Sequence, residues 1–81
     1  MNAVSQALID VLQNGKSAVL ATVVKTRGAS PRNAGAKMLV YPDGAIVGSV
    51  GGGEMEMQVI AAAKESIVNG QPRYLDLTLS N

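Results

Sequence analysis

Eighty-one residues with seven Lys or Arg against six Asp or Glu make one small domain of net charge +1, too evenly balanced to imply nucleic acid or an anionic membrane as partner. The chain has no Cys and no His, which removes disulfides, thiolate nucleophiles, zinc–thiolate sites and the usual general base. What remains for chemistry is carboxylates, cations and hydroxyls, an inventory that argues against an independent hydrolase or redox enzyme and against a tightly held metal.

A domain of this size buries roughly 60% of its unfolded surface. Phe and Trp are absent and only two Tyr are present, so the core has to be built from Val, Ile, Leu, Met and Ala. Such side chains bury little area each, which favours self-association or a neighbouring domain. No apolar run approaches the ~20 residues of a membrane span, and no basic-then-apolar leader opens the chain. A cytoplasmic location is therefore expected, with neither membrane nor nucleic acid as partner.

Residues 3–14 predict a helix, because Ala3, Val4, Ala7, Leu8, Val11 and Leu12 follow the 3.6-residue period. Asn2 is placed to cap its start, and Asn14-Gly15 supplies a left-handed stop. Residues 18–26 (AVLATVVKT) form a β-branched, nearly continuous apolar run, the pattern of a central strand buried on both faces. Residues 27–36 (RGASPRNAGA) follow as a loop, in which Pro31 pushes Ser30 into an extended conformation. Ten residues is long against the usual connection of about 4–6, and long loops on compact domains tend to carry function.

Residues 37–41 (KMLVY) and 45–50 (AIVGSV) predict a hairpin around Pro42-Asp43-Gly44, with Pro where a type I turn takes it and Gly where a left-handed residue follows. Gly48 inside the second strand indicates a bulge or a close backbone approach. After Gly51-Gly52-Gly53, residues 54–69 predict a second helix that ends at Asn69-Gly70. Met55, Val59, Ile60, Ala63 and Ile67 share one face, while Met57, Ala61 and Val68 make a narrower second strip, suited either to the same domain or to a partner chain. Residues 74–79 (YLDLTL) alternate as a half-buried strand. The expected fold is α/β (α+β), a single domain of order α-β-β-β-α-β with two helices and a mixed sheet of about four strands.

Two stretches hold the candidate site. Gly51, Gly52 and Gly53 lead into a helix start, where unpaired N–H groups and the positive end of the dipole attract phosphate or carboxylate. The run matches neither a P-loop nor G-x-G-x-x-G, and a purely steric turn between strand and helix explains the glycines as well. Glu56 falls on the apolar side of the helical wheel, between Ala63 and Ile67. If Gly53 is the N-cap, Glu56 stands at N3 as half a capping box; otherwise it is an acceptor for ligand amino or amide groups. Glu54 beside it disfavours phosphate and suits a donor-bearing ligand or a cation. Across the chain, Arg27, Ser30, Arg32 and Lys37 offer cations and a hydroxyl, with Arg fitted to bidentate anion recognition or simply solvated.

The string VLATVVKTRGASPRNAGAKMLVYPDGAIVGSVGGGEME, residues 19–56, resembles the XdhC/CoxI family, accessory proteins of molybdenum hydroxylases such as xanthine dehydrogenase. The family pattern joins an ATVV-like strand end, G-S-S-P-R-x-x-G-A-K-M, a DG hairpin and G-S-I-G-G-G-C-x-E in that order. The matching positions are Ser30, Pro31, Arg32, Gly35, Ala36, Lys37, Met38, Asp43, Gly44, Gly51, Gly52, Gly53 and Glu56. The resemblance implies a non-enzymatic module that binds a molybdopterin-type cofactor as cargo and delivers it to a molybdenum hydroxylase apo-enzyme such as xanthine or CO dehydrogenase. Ser30, Arg32, Lys37, Gly51, Gly52, Gly53, Glu54 and Glu56 are then the cofactor-binding candidates, with a homo-oligomer as the expected assembly.

Two positions depart from the pattern. Ala29 stands where the family often has Ser, and Glu54 stands where it usually has Cys. A thiol approaches molybdenum or takes part in sulfur chemistry in ways a carboxylate does not. Larger members also carry a Rossmann-type C-terminal domain, and residues 1–81 are expected to be the N-terminal type of domain alone, with that second domain absent. Two other functions stay open: an interaction or oligomerisation domain that keeps the fold without the cofactor, and a binder of another phosphate-bearing small molecule.

Overall fold

The computed structural model describes residues 2–24, 35–73 and 75. Helix α1 (Ala3–Asn14) is followed by strands β1 (Val19–Thr22), β2 (Lys37–Val40) and β3 (Ile46–Gly48), and then by helix α2 (Gly53–Asn69). This is a small α+β domain. Its three described strands run in the order β1-β2-β3, each antiparallel to its neighbour. The sheet expected to be mixed and of about four strands is therefore three-stranded and antiparallel among the described residues. The strand expected over 74–79 lies outside them.

Both helix boundaries follow from local chemistry. The Asn2 side chain accepts from the Ser5 amide at 2.8 Å, satisfying one of the donors that a helix start leaves unpaired. Gly15 closes α1 in the left-handed region at φ 63°, and Gly70 closes α2 at φ 71°. The hairpin forms as its turn residues require. The Gly44 amide donates to the Tyr41 carbonyl, Gly44 sits at φ 90°, and the Asp43 carboxylate accepts from the Ala45 amide at 2.9 Å.

Burial corrects one expectation. The apolar run 18–26 was expected to be a central strand covered on both faces, yet β1 is an edge of the described sheet, and Leu20 remains 40% exposed. The twice-covered strand is β2, where Met38, Leu39 and Val40 are all completely buried. Successive side chains of a strand point to opposite faces, so three buried in a row require cover on both. Met38 and Val40 join Val50, Val59 and Ala63 in one cluster under α2, which lies against β1 and β2. Leu39 faces the other way, where α1 lies against β2 and β3 and buries Val4 and Val11.

Gly48 marks the close approach that its place in a strand implied. It sits at φ 87°, and a Cβ there would stand 2.5 Å from Val4 Cγ2 and 2.6 Å from the Lys37 carbonyl oxygen. No larger residue lets α1 and β2 come this near to β3. On α2, Val59, Ala62 and Ala63 are buried and Met55 and Ile60 pack partly against them. The second strip does not serve the described domain: Met57 and Val68 are 72% and 87% exposed, and Ala61 is exposed too. Among the described residues no helix is long and apolar enough to cross a membrane.

Candidate functional site

The antiparallel register decides which candidates meet. Thr22 at the end of β1 pairs with Lys37 at the start of β2, and Met38 pairs with Gly48 at the end of β3. One end of the sheet thus carries Lys37, the start of the glycine turn, and Val24 and Gly35, between which residues 25–34 run. The backbone pairing continues to these roots, with the Val23 amide donating to the Ala36 carbonyl at 3.0 Å and the Gly35 amide to the Val23 carbonyl at 2.7 Å. Ser30 and Arg32 lie outside the described residues, as does Arg27. Lys37 is exposed, and its ammonium donates to the Gly35 carbonyl at 3.3 Å.

The turn from β3 into α2 is anchored by Val50, whose side chain is buried in the cluster under α2. Gly51, Gly52 and Gly53 then take φ values of 132°, 85° and 59°, a run of left-handed backbone that side chains resist. At Gly52 and Gly53 a Cβ would meet nothing within 4 Å, so the requirement there is conformational rather than steric. The glycines therefore shape the turn, and open space lies outside two of them.

Glu56 organises that turn. Its Oε2 accepts from the Gly52 amide at 2.9 Å, from the Val50 amide at 3.3 Å, and from the Ser49 hydroxyl. The Gly51 amide donates in turn to Ser49 Oγ at 3.2 Å. The Ser49 hydroxyl above all, followed by the Gly52 and Val50 amides, holds the Glu56 carboxyl below its ordinary value, against the opposing effect of its partial burial. The expected capping box is thus present in substance but displaced by one residue. Gly52, not Gly53, is the N-cap, and Glu56 reaches back to it from one position further into the helix. The helix thus begins one residue earlier than expected, at Gly53, which places Glu56 one position deeper in it.

Glu54 is exposed in the first turn of α2, beside Glu56 and favourably placed towards the positive end of the helix dipole. The turn thus presents carboxylates rather than cations. Ser49 is the participant that the sequence did not reveal. It lies seven residues before Glu56 and outside the helix that carries Glu56, so no shared period connects the two. Its signals are the Ser of the G-S-I-G-G-G-C-x-E pattern, which Ser49 matches, and a hydroxyl placed two positions before Gly51, where the glycine run begins. Among the described residues no group of three or more acidic side chains forms a metal site.

A separate apolar groove of about 1100 Å³ runs along β1, lined by Leu8 and Val11 of α1, by Val59 and Ala63 of α2, and by Leu75. None of Lys37, Gly51, Gly52, Gly53, Glu54 or Glu56 lines it, but Val50 and Met55 do, so the groove reaches the inner side of the glycine turn without including its glycines or carboxylates.

Comparison with known proteins sets this geometry in a family. The model of the XdhC and CoxI family matches residues 11–79, most of the chain. The chain is 40% identical over 67 residues to the molybdenum cofactor insertion chaperone PaoD of Escherichia coli (strain K12), covering 83% of this chain and 21% of that protein. It is 43% identical over 54 residues to the uncharacterized protein YqeB of the same organism, covering 67% of this chain and 10% of that protein. The chain therefore spans about a fifth of the length of the first relative and a tenth of the second. No solved structure matches it. The chain belongs to the XdhC and CoxI family.

Proposed function

We propose that this chain is a molybdenum-cofactor-binding accessory module, not an enzyme, which takes a molybdopterin-type cofactor as cargo and assists its insertion into a molybdenum hydroxylase. The observation that carries the reading is the extended identity with a relative named as a cofactor insertion chaperone. The fold supports it by rooting residues 25–34, which include Ser30 and Arg32, at the sheet end that carries Lys37 and the glycine turn. In this reading the loop cations and the Ser30 hydroxyl meet the cofactor's phosphate. The carboxylates at the start of α2 meet the N–H groups of its pterin, donors that a carboxylate accepts well.

The test is co-purification. The chain, expressed in a host that makes the cofactor, is expected to carry a pterin that becomes fluorescent on oxidative release, and Arg32→Ala is expected to carry less. Pterin no higher than in an unrelated protein prepared alongside contradicts the proposal.

A second reading is favoured by Glu54, which stands where the family usually has Cys, and by the exposed strip Met57, Ala61 and Val68 on α2. In it the domain keeps the fold for protein association, with itself or with a partner enzyme. Met57→Lys then disrupts association, whereas substitutions at Arg32 and Lys37 leave it intact. Light scattering on the purified variants, read beside their pterin content, separates the two readings.

A further inference from the structure

Successive backbone N–H groups that converge in a turn form a concavity that collects anions. In this chain the concavity already holds one. Glu56 Oε2 receives the Val50 and Gly52 amides and the Ser49 hydroxyl, while the Gly51 amide is taken by Ser49 Oγ. All three consecutive amides of the turn are engaged within the chain. A phosphate arriving there would have to displace a carboxylate that is covalently tethered and held by several donors. It would also bring its charge against Glu54 and Glu56.

We propose that Glu56 is the resident anion of the glycine turn: a positioning residue that fixes the Ser49–Gly52 backbone and closes its amides to phosphate. The turn is therefore not a phosphate cradle, despite its glycines and the helix that follows. Its specificity is for groups that donate hydrogen bonds to carboxylates. For the cofactor reading, on which this one consequence rests, the ligand lies with its donor-bearing ring system towards α2 and its phosphate away from the glycines.

The occupancy of the turn is independent of any cofactor and is tested without one, using the chain with inorganic phosphate and acetate as probes. In the unmodified protein, phosphate is expected to leave the amide resonances of Val50, Gly51 and Gly52 in place. In Glu56→Ala the vacated turn is expected to take up either anion, with saturable shifts of the same three amides and a thermal midpoint that rises with phosphate or acetate. A residue that merely packs well would give a variant of lower stability with no gain of anion response. Should Glu56→Ala fold only when an anion is added, that rescue is itself the expected result. Glu56→Gln keeps the side-chain shape without the charge, and is expected to show the phosphate shifts in weaker form. Saturable phosphate shifts at these amides in the unmodified protein overturn the proposal. So does the absence of any new anion response in both variants. Failure of cofactor binding, by contrast, leaves these outcomes unchanged and bears only on the proposed function.

Discussion

The Ser49 hydroxyl donates to the Glu56 carboxylate across the glycine turn, tying the residue that follows β3 to the first turn of α2. Together with the Val50 and Gly52 amides this contact makes the ionised carboxylate a structural part of the turn.

A pH dependence of known sign follows. The Glu56 carboxyl is held below its ordinary value in the folded protein, chiefly by Ser49. Its contribution to stability is full above the unfolded-state value and is lost as pH falls through the folded one, because the unfolded chain takes up the proton first. The thermal midpoint should therefore decline through the acid range below the ordinary glutamate value. Ser49→Ala should raise the Glu56 titration midpoint and flatten this decline. Carbon-detected titration of the Glu56 carboxyl alongside thermal melts checks both.

Two glycines of similar φ should respond differently to alanine. At Gly52 the added methyl meets open space, so the cost is that of a backbone conformation (φ 85°, ψ 173°) that only glycine adopts readily, about 1–3 kcal/mol. At Gly48 the same cost is joined by contacts of 2.5 Å with Val4 Cγ2 and 2.6 Å with the Lys37 carbonyl, adding overpacking of about 1–3 kcal/mol. Urea denaturation of the two variants should show Gly48→Ala to be clearly the less stable.

Leu39 is completely buried on the face of β2 that α1 covers. Leu39→Ala should cost about 2–5 kcal/mol. In a domain of this size each kcal/mol lowers the midpoint by roughly 4–8 °C, so calorimetry should find a drop of at least about 8 °C.

Much of this was legible in the residues themselves. The bounds of α1 followed from Asn2, the apolar period and Gly15, and the hairpin from Pro42-Asp43-Gly44, because in each case the deciding interactions lie within a few residues. Among the described strands the two-faced burial falls on β2 rather than on the run 18–26. The run 18–26 is more continuously apolar than Met38-Leu39-Val40, but cover is set by which strand stands in the middle, and a strand's own composition does not state its order. The cap of α2 was displaced by one residue, since three glycines give the turn freedoms that residue identity does not narrow. Ser49 was missed because only the completed turn brings it to Glu56. The loop cations could be named from sequence, and Ser30 and Arg32 fall outside the described residues.

Cofactor binding is measured by titrating the purified protein with molybdopterin under anaerobic conditions and following pterin fluorescence. Saturable binding with a Kd of about 1 μM or tighter is expected, equivalent to roughly 8 kcal/mol. Arg32→Ala is expected to weaken it by about tenfold or more, with an unchanged melting profile. Absence of saturable binding by the unmodified, folded chain would contradict the proposed function.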